Sequence, residues 1–273
     1  MAAATPQTEP RFLELGGRRL EYVDLPARHD ARPALVLLHE GLGCVEMWRD
    51  LPSLLASATG CRTVAYSRWG YGRSDGLDGP RTPRYLHDEA LLWLPELRAA
   101  LGLERVVLVG HSDGASIALV HAGADHWPVA ALVAIAPHEF VEEVAVEGIR
   151  AAGEAWRTTD LAARLRRYHR DADGVFAAWH DTWLSAAFRA WNIEEFLPGI
   201  RCPLLAIQGE QDEYATMAQL DAIVRGATRS PRAEQMRLEG CGHAPHRERA
   251  DEVVAAIARL VDAAPEAKDD SSQ

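Results

Sequence analysis

The stretch Arg105-Val106-Val107-Leu108-Val109-Gly110-His111-Ser112-Asp113-Gly114-Ala115-Ser116-Ile117-Ala118-Leu119 sets a serine between two glycines, where one apolar run ends and another begins. The first run is short, continuous and β-branched, as a strand buried on both faces must be. The second, Asp113–Gly123, reads as a helix. Gly110 and Gly114 carry no Cβ to crowd a sharp turn, so Ser112 can occupy a strained position with its hydroxyl exposed. A helix starting behind it directs backbone N–H groups at the place where an oxyanion would form. A plain tight turn with a satisfied serine is the alternative, but both flanks fit a strand–serine–helix elbow.

Working outward, Arg11–Leu15 and Arg18–Leu25 flank Gly16-Gly17 as a β-hairpin. Ala34–Leu38 and Arg62–Tyr66 are further strands, the second closed by the turn Gly70-Tyr71-Gly72. Helices are expected from about Met47 to Thr59 and over Arg84–Leu101, the latter ended by Gly102. Val129–Ala136 is again a strand. From about His138 to Leu197 no strand candidate appears, and the stretch carries Trp156, Trp179, Trp183 and Trp191 on helical segments. Alternation then resumes with Pro203–Gln208 (strand), Thr216–Val224 (helix), Ala233–Leu238 (strand) and Arg247–Val261 (helix). This pattern predicts an α/β core with a mainly parallel sheet covered on both faces, over 11–137 and 198–262, interrupted by a helical insertion at 138–197. Residues 1–10 and 263–273 are expected to be flexible tails.

Composition narrows the function. The 273 residues are 48% hydrophobic, enough to bury one full core. The formal charge is −11, and Lys268 is the only lysine, so no basic block is available to grip phosphate backbones and nucleic acid is not an expected partner. The N-terminal segment lacks a basic n-region and a sustained apolar run, and Pro128–Pro137 is too short to span a bilayer. No membrane partner and a cytoplasmic location are expected. Cys44, Cys61, Cys202 and Cys241 form no CxxC pair, which indicates neither a metal site nor a disulfide framework. No cofactor is expected.

A serine nucleophile needs a base, and the base an orienting carboxylate. Of eleven histidines, His243 stands out, because Gly240-Cys241-Gly242-His243 follows the last strand and would hold the imidazole above the carboxyl edge of the sheet. His246 is the rival three residues on, although Pro245 and the following helix argue that it faces elsewhere. The loop Gln208-Gly209-Glu210-Gln211-Asp212-Glu213 supplies the acid. Asp212 is favoured for its short side chain at the far end of the turn, with Glu210 and Glu213 as alternatives. The chain order Ser112, Asp212, His243 is the one expected of a serine hydrolase on a parallel sheet.

Taken together, His39 through Gly43, the turn Gly70-Tyr71-Gly72-Arg73-Ser74, the elbow Gly110–Gly114, the acid loop through Asp212 and Gly242-His243 resemble the α/β-hydrolase superfamily, from about Arg11 to Val261. The resemblance implies an eight-stranded, mainly parallel sheet with a helical cap roofing the pocket. It is nearest to capped carboxylesterases, enol-lactonases and hydrolases of aromatic ring-cleavage products. It implies that Ser112 attacks an acyl carbonyl, that His243 takes the proton, that Asp212 orients His243, and that the N–H groups of Asp113 and Gly41 form the oxyanion hole. His39, Glu40, Leu42, Trp69, Trp179 and Trp183 are the candidate pocket residues.

Three positions depart from the family pattern: Glu40 replaces a glycine, Asp113 is acidic, and Trp69 stands where many relatives have arginine. Two carboxylates near an oxyanion must point away or be paired, with Arg68, Arg73 and His39 as candidate partners. Glu40 is expected to turn away and be held by a cation or loop N–H groups; a solvated or a directly participating glutamate are the alternatives. The expected activity is cleavage of a small carboxylic ester or lactone through an acyl-enzyme. Carbon–carbon hydrolysis of a vinylogous diketone acid from aromatic catabolism is the second enzymatic option; it would need a fixed cation, and the insertion holds too many arginines to single one out. A binding module on a hydrolase scaffold is the non-enzymatic option. At least two of the four insertion tryptophans are expected to be core, and assembly as a homodimer stays open.

Overall fold

The computed structural model describes residues 9–29, 31–77 and 79–264. The expectation of flexible tails falls mostly on residues outside these. β1 (Arg11–Leu15) and β2 (Arg18–Leu25) form the hairpin turning at Gly16-Gly17, followed by β3 (Ala34–Leu38), α1 (Leu51–Thr59) and β4 (Thr63–Tyr66). The segment expected as one helix is instead α2 (Tyr85–Asp88), a π-helical turn (Glu89–Trp93) and α3 (Leu94–Ala100). Pro95 supplies no N–H to continue an α-helical ladder there. β5 (Val106–His111) and α4 (Asp113–Gly123) flank Ser112, and β6 (Val129–Ile135) follows.

Next come α5 (Glu143–Thr158), α6 (Leu161–Leu165) and α7 (Ala172–Leu184), the helical insertion between core strands. The chain closes with β7 (Leu204–Gly209), α8 (Ala218–Gly226), β8 (Ala233–Leu238), α9 (Pro245–Glu248) and α10 (Ala250–Asp262). The expected final helix is thus two, separated at Arg249, whose backbone leaves helical geometry at φ −133°, ψ 45°.

The sheet has eight strands in the order β1-β2-β4-β3-β5-β6-β7-β8. β1–β2 and β2–β4 are antiparallel and the remaining pairs parallel. Every residue of β3, β4, β5 and β7 is buried, which is why these segments read as unbroken apolar runs rather than alternating ones. Alternate residues feed two apolar layers. Val36, Leu38 and Leu108 pack with α4 and the insertion on one face, while Leu35, Leu37 and Val107 pack with α1 and α10 on the other. The four cysteines are buried free thiols. No helix of the described residues is long and apolar enough to cross a membrane.

Candidate active site

The site grows from the carboxyl ends of β3, β5, β7 and β8. Ser112 leaves β5 with φ 53° and ψ −118°, a conformation that strains any residue with a Cβ. The turn is possible because a Cβ on Gly110 would fall on the Gly114 carbonyl, and one on Gly114 on the Leu38 carbonyl. The elbow is therefore wedged against the end of β3 and the start of the loop that follows it. Ser112 N–H donates to the Ile135 carbonyl at 2.9 Å, which fixes the turn to β6.

Of the three carboxylates after β7, Asp212 is the one that meets a histidine ring. His243 Nδ1 lies 2.8 and 2.9 Å from the two Asp212 oxygens, and the Asp212 side chain is wholly buried. Burial works against this carboxylate. The His243 bond and the Tyr214 N–H (2.8 Å) prevail and hold its pKa below the usual range. An ionised acceptor at Nδ1 fixes the Nδ1–H tautomer and leaves Nε2 as the basic nitrogen. Glu213 instead accepts the His243 backbone N–H at 3.3 Å, and Glu210 is exposed. His246 is buried edge-on against Trp48 and His111, with ring centroids 5.2 and 4.5 Å away.

His111, the residue before Ser112, was not singled out by the sequence. Its Nε2–H donates to the His243 carbonyl at 2.7 Å, and its ring lies 5.1 Å from the His243 ring. Its other nitrogen lies 3.5 Å from Glu40 Oε2, while Glu40 Oε1 takes Arg247 Nη2 at 3.3 Å. Glu40 is thus held by His111 and Arg247, neither of which was among its expected partners. Burial opposes its ionisation, yet these two groups keep its pKa well below the usual carboxylate range. Of the partners expected for the two carboxylates, Arg68 faces Asp113 as anticipated, while Arg73 and His39 make other contacts. Arg73 lies near Glu21 and Glu46. His39 Nδ1–H donates to the Glu40 carbonyl at 2.7 Å. Arg68, fully buried, donates to that same carbonyl at 2.9 Å and faces Asp113 Oδ2 at 3.5 Å.

Asp113 Oδ2 also accepts the Tyr85 hydroxyl at 2.8 Å, and the Tyr85 oxygen accepts Trp183 Nε1–H at 2.9 Å. α7 covers the loop after β3 so closely that a Cβ on Gly41 would overlap the Trp179 indole. Leu42 is half-buried, its carbonyl 3.0 Å from His169 Nε2. Trp69 packs away from this group, edge-on to Trp93 and beneath the Arg18 guanidinium, which lies 4.5 Å from its ring. His138 is a further histidine beside the site, its ring 5.9 Å from His243 and 5.1 Å from Trp183. Burial, reinforced by His243, pushes its pKa down to about 4, so it is neutral at neutral pH. Among the described residues no cluster of three or more His, Cys, Asp or Glu side chains could hold a metal ion.

Comparison with known proteins sets this geometry in a family. The chain is 32% identical to a haloalkane dehalogenase of Sphingobium indicum over 115 residues, 42% of this chain but only 37% of the dehalogenase. Among solved structures, the enol-lactonase of Burkholderia xenovorans LB400 superposes with a TM-score of 0.71 at 21% identity, over 92% of this chain and 100% of that one. A serine hydrolase involved in carbazole degradation gives a TM-score of 0.73 at 20% identity, over 93% and 99%. The family model described as "Alpha/beta hydrolase family" matches residues 35–256, so the chain belongs to the alpha/beta hydrolase family.

Proposed function

We propose that the protein is a serine hydrolase that cleaves small carboxylic esters or lactones, with Ser112 as nucleophile, His243 as base and Asp212 as its orienting acid. The observation that carries this reading is the buried Asp212–His243 pair, 2.8 Å apart, with the His243 carbonyl contacted by His111, the residue before the strained Ser112 at φ 53°. In this mechanism Ser112 Oγ bonds to the carbonyl carbon as His243 Nε2 takes its proton. The N–H groups of Asp113 and Gly41 receive the oxyanion, an interaction worth on the order of 3 kcal/mol per donor in the transition state. The carbon–oxygen bond to the leaving alcohol then breaks, and His243 returns the proton to that oxygen. Water attacks the acyl-enzyme with its proton passing through His243 to Ser112, and the carboxylic acid departs. In a lactone the leaving hydroxyl stays on the same molecule. The insertion over 138–197 acts as the cap of this site.

A fluorophosphonate probe tests the assignment. Ser112→Ala is expected to lose both labelling and turnover of a short p-nitrophenyl ester while keeping its circular-dichroism spectrum. Asp212→Asn should slow acylation by on the order of 10³–10⁴-fold, because the imidazole loses its orienting acceptor. Glu210→Gln and Glu213→Gln should be far milder. Labelling of Ser112→Ala at the wild-type rate would remove the assignment.

A further inference from the structure

Arg68 stands two residues past β4 with its side chain buried, as is the Asp113 carboxylate that it faces. At 3.5 Å the two charges are farther apart than in a strong charge-assisted hydrogen bond. Such a pair stabilises a fold poorly, because apolar side chains would fill the same volume without the cost of desolvating two charges. Its value lies in what the guanidinium joins. One side of Arg68 meets the loop after β3, which carries Gly41, and another meets the first residue of α4, next to Ser112.

The Glu40 carbonyl takes three donors: Arg68 Nη2–H at 2.9 Å, His39 Nδ1–H at 2.7 Å and the Gly43 N–H at 3.1 Å. That carbonyl belongs to the Glu40–Gly41 peptide, which is trans, so the Gly41 N–H points the opposite way from its oxygen. Donors on the oxygen fix the plane of the peptide and polarise it, which strengthens the N–H as a donor. His39 can give its proton only as the Nδ1–H tautomer, and Arg68 sets this too, since its backbone N–H donates to His39 Nε2 at 3.1 Å. Burial, and then the Arg68 charge, holds the His39 pKa well below the usual range, so the ring is neutral and carries one proton. At the other contact, Arg68 Nη1 and Nη2 both lie 3.5 Å from Asp113 Oδ2. A carboxylate left without a counter-charge there would oppose a developing oxyanion. The Tyr71 ring, 4.7 Å from the guanidinium carbon, stacks on the cation and holds it in place.

We propose that Arg68 is the positioning residue of the oxyanion hole: one buried guanidinium holds the Glu40–Gly41 peptide and the Asp113 side chain together, so that the N–H groups of Gly41 and Asp113 converge on a single oxygen. This rests on the serine-hydrolase reading above and adds the group that aligns its two donors. The test compares kcat/KM for phenyl acetate and phenyl thionoacetate, in which sulfur, a weak acceptor, replaces the carbonyl oxygen. A misaligned hole costs the oxygen ester most, whereas a general loss of structure slows both substrates alike. Arg68→Lys keeps the charge but lacks the planar fork that spans both contacts. It is expected to lower kcat/KM for phenyl acetate about tenfold and to cut the oxygen-over-sulfur ratio by a similar factor. Arg68→Met should lower both by on the order of 100-fold, as the loss of one oxyanion donor does. Arg68→Met leaves the Asp113 charge buried alone, so Arg68→Met combined with Asp113→Asn serves if the single variant does not fold. An oxygen-over-sulfur ratio equal to wild type in folded Arg68→Lys and Arg68→Met, or in the folded double variant, makes Arg68 a scaffold contact and overturns the proposal alone. Wild-type protein that neither turns over phenyl acetate nor labels with a fluorophosphonate overturns the serine-hydrolase reading, and the positioning role with it.

Discussion

Glu40 shares a loop with Gly41, yet its carboxylate is turned onto His111 and Arg247 rather than toward the backbone N–H of its neighbour. A negative charge facing a developing oxyanion would oppose it most where water is scarce. Pairing with His111 turns that liability into a connection, because His111 in turn holds the His243 carbonyl. The loop carrying Gly41 and the loop carrying His243 are thereby joined through two side chains. Glu40→Gln is expected to lower the melting temperature and slow acylation by about tenfold, the loss of one charge-assisted contact. His111→Leu should slow acylation further by freeing the His243 loop, with KM little changed. His111→Gln, which can still donate to the carbonyl, should recover most of the rate. Stopped-flow acylation with a p-nitrophenyl ester reads all three. An unchanged rate in His111→Leu would make the contact simple packing.

At the scale of elements, α7 is linked to the elbow through Tyr85. Trp183 and Trp191 are buried and pack with Phe188, the core role expected of at least two of the four tryptophans. Trp156 is half-buried and stacked on Phe176, with centroids 4.1 Å apart. Trp183 does more than fill space, since its Nε1–H continues through Tyr85 to Asp113, whose backbone N–H receives the oxyanion in the proposed mechanism. Trp183→Phe keeps most of the apolar contact and removes that donor. It should cost about 1 kcal/mol of stability, which for a chain of this size lowers the melting temperature by roughly 2–4 °C. It should also slow fluorophosphonate labelling, whereas Trp156→Phe should leave labelling near wild type. Equal labelling rates in the two variants would confine Trp183 to packing.

Over the whole molecule, what could be read in advance follows from the range of the interactions. The hairpin Arg11–Leu25, β3, β5, α4 and β8 were legible because burial and turn chemistry are local signals. The π-helical turn at Glu89–Trp93 and the break at Arg249 were not: Pro95 marks where the α-helical ladder loses an N–H but not how the turn before it adjusts, and no residue type announces the break at Arg249. The site divides the same way. Ser112, Asp212 and His243 each sit at a punctuated strand end, but Glu40 and Arg247 are 207 residues apart and His111 and His243 are 132 apart. The fold also gathers buried histidines whose joint effect belongs to the whole chain. Burial is the leading cause that lowers the pKa of His39, His121, His138 and His246, to about 4 for His121 and His138. In the unfolded chain these groups titrate near 6.5. Between that value and the folded one, the unfolded state binds more protons, so stability rises with pH and is lost as pH falls. For His121 and His138 the window runs from about 6.5 down to about 4, and each contributes roughly 3 kcal/mol across it. The melting temperature should therefore fall steeply from pH 6.5 to pH 4, before most carboxylates are protonated. His138→Phe should flatten part of that slope, since phenylalanine fills similar space without a proton to accept. Differential scanning calorimetry at half-unit pH steps gives the comparison, and an identical slope in His138→Phe would show that His138 titrates the same in both states.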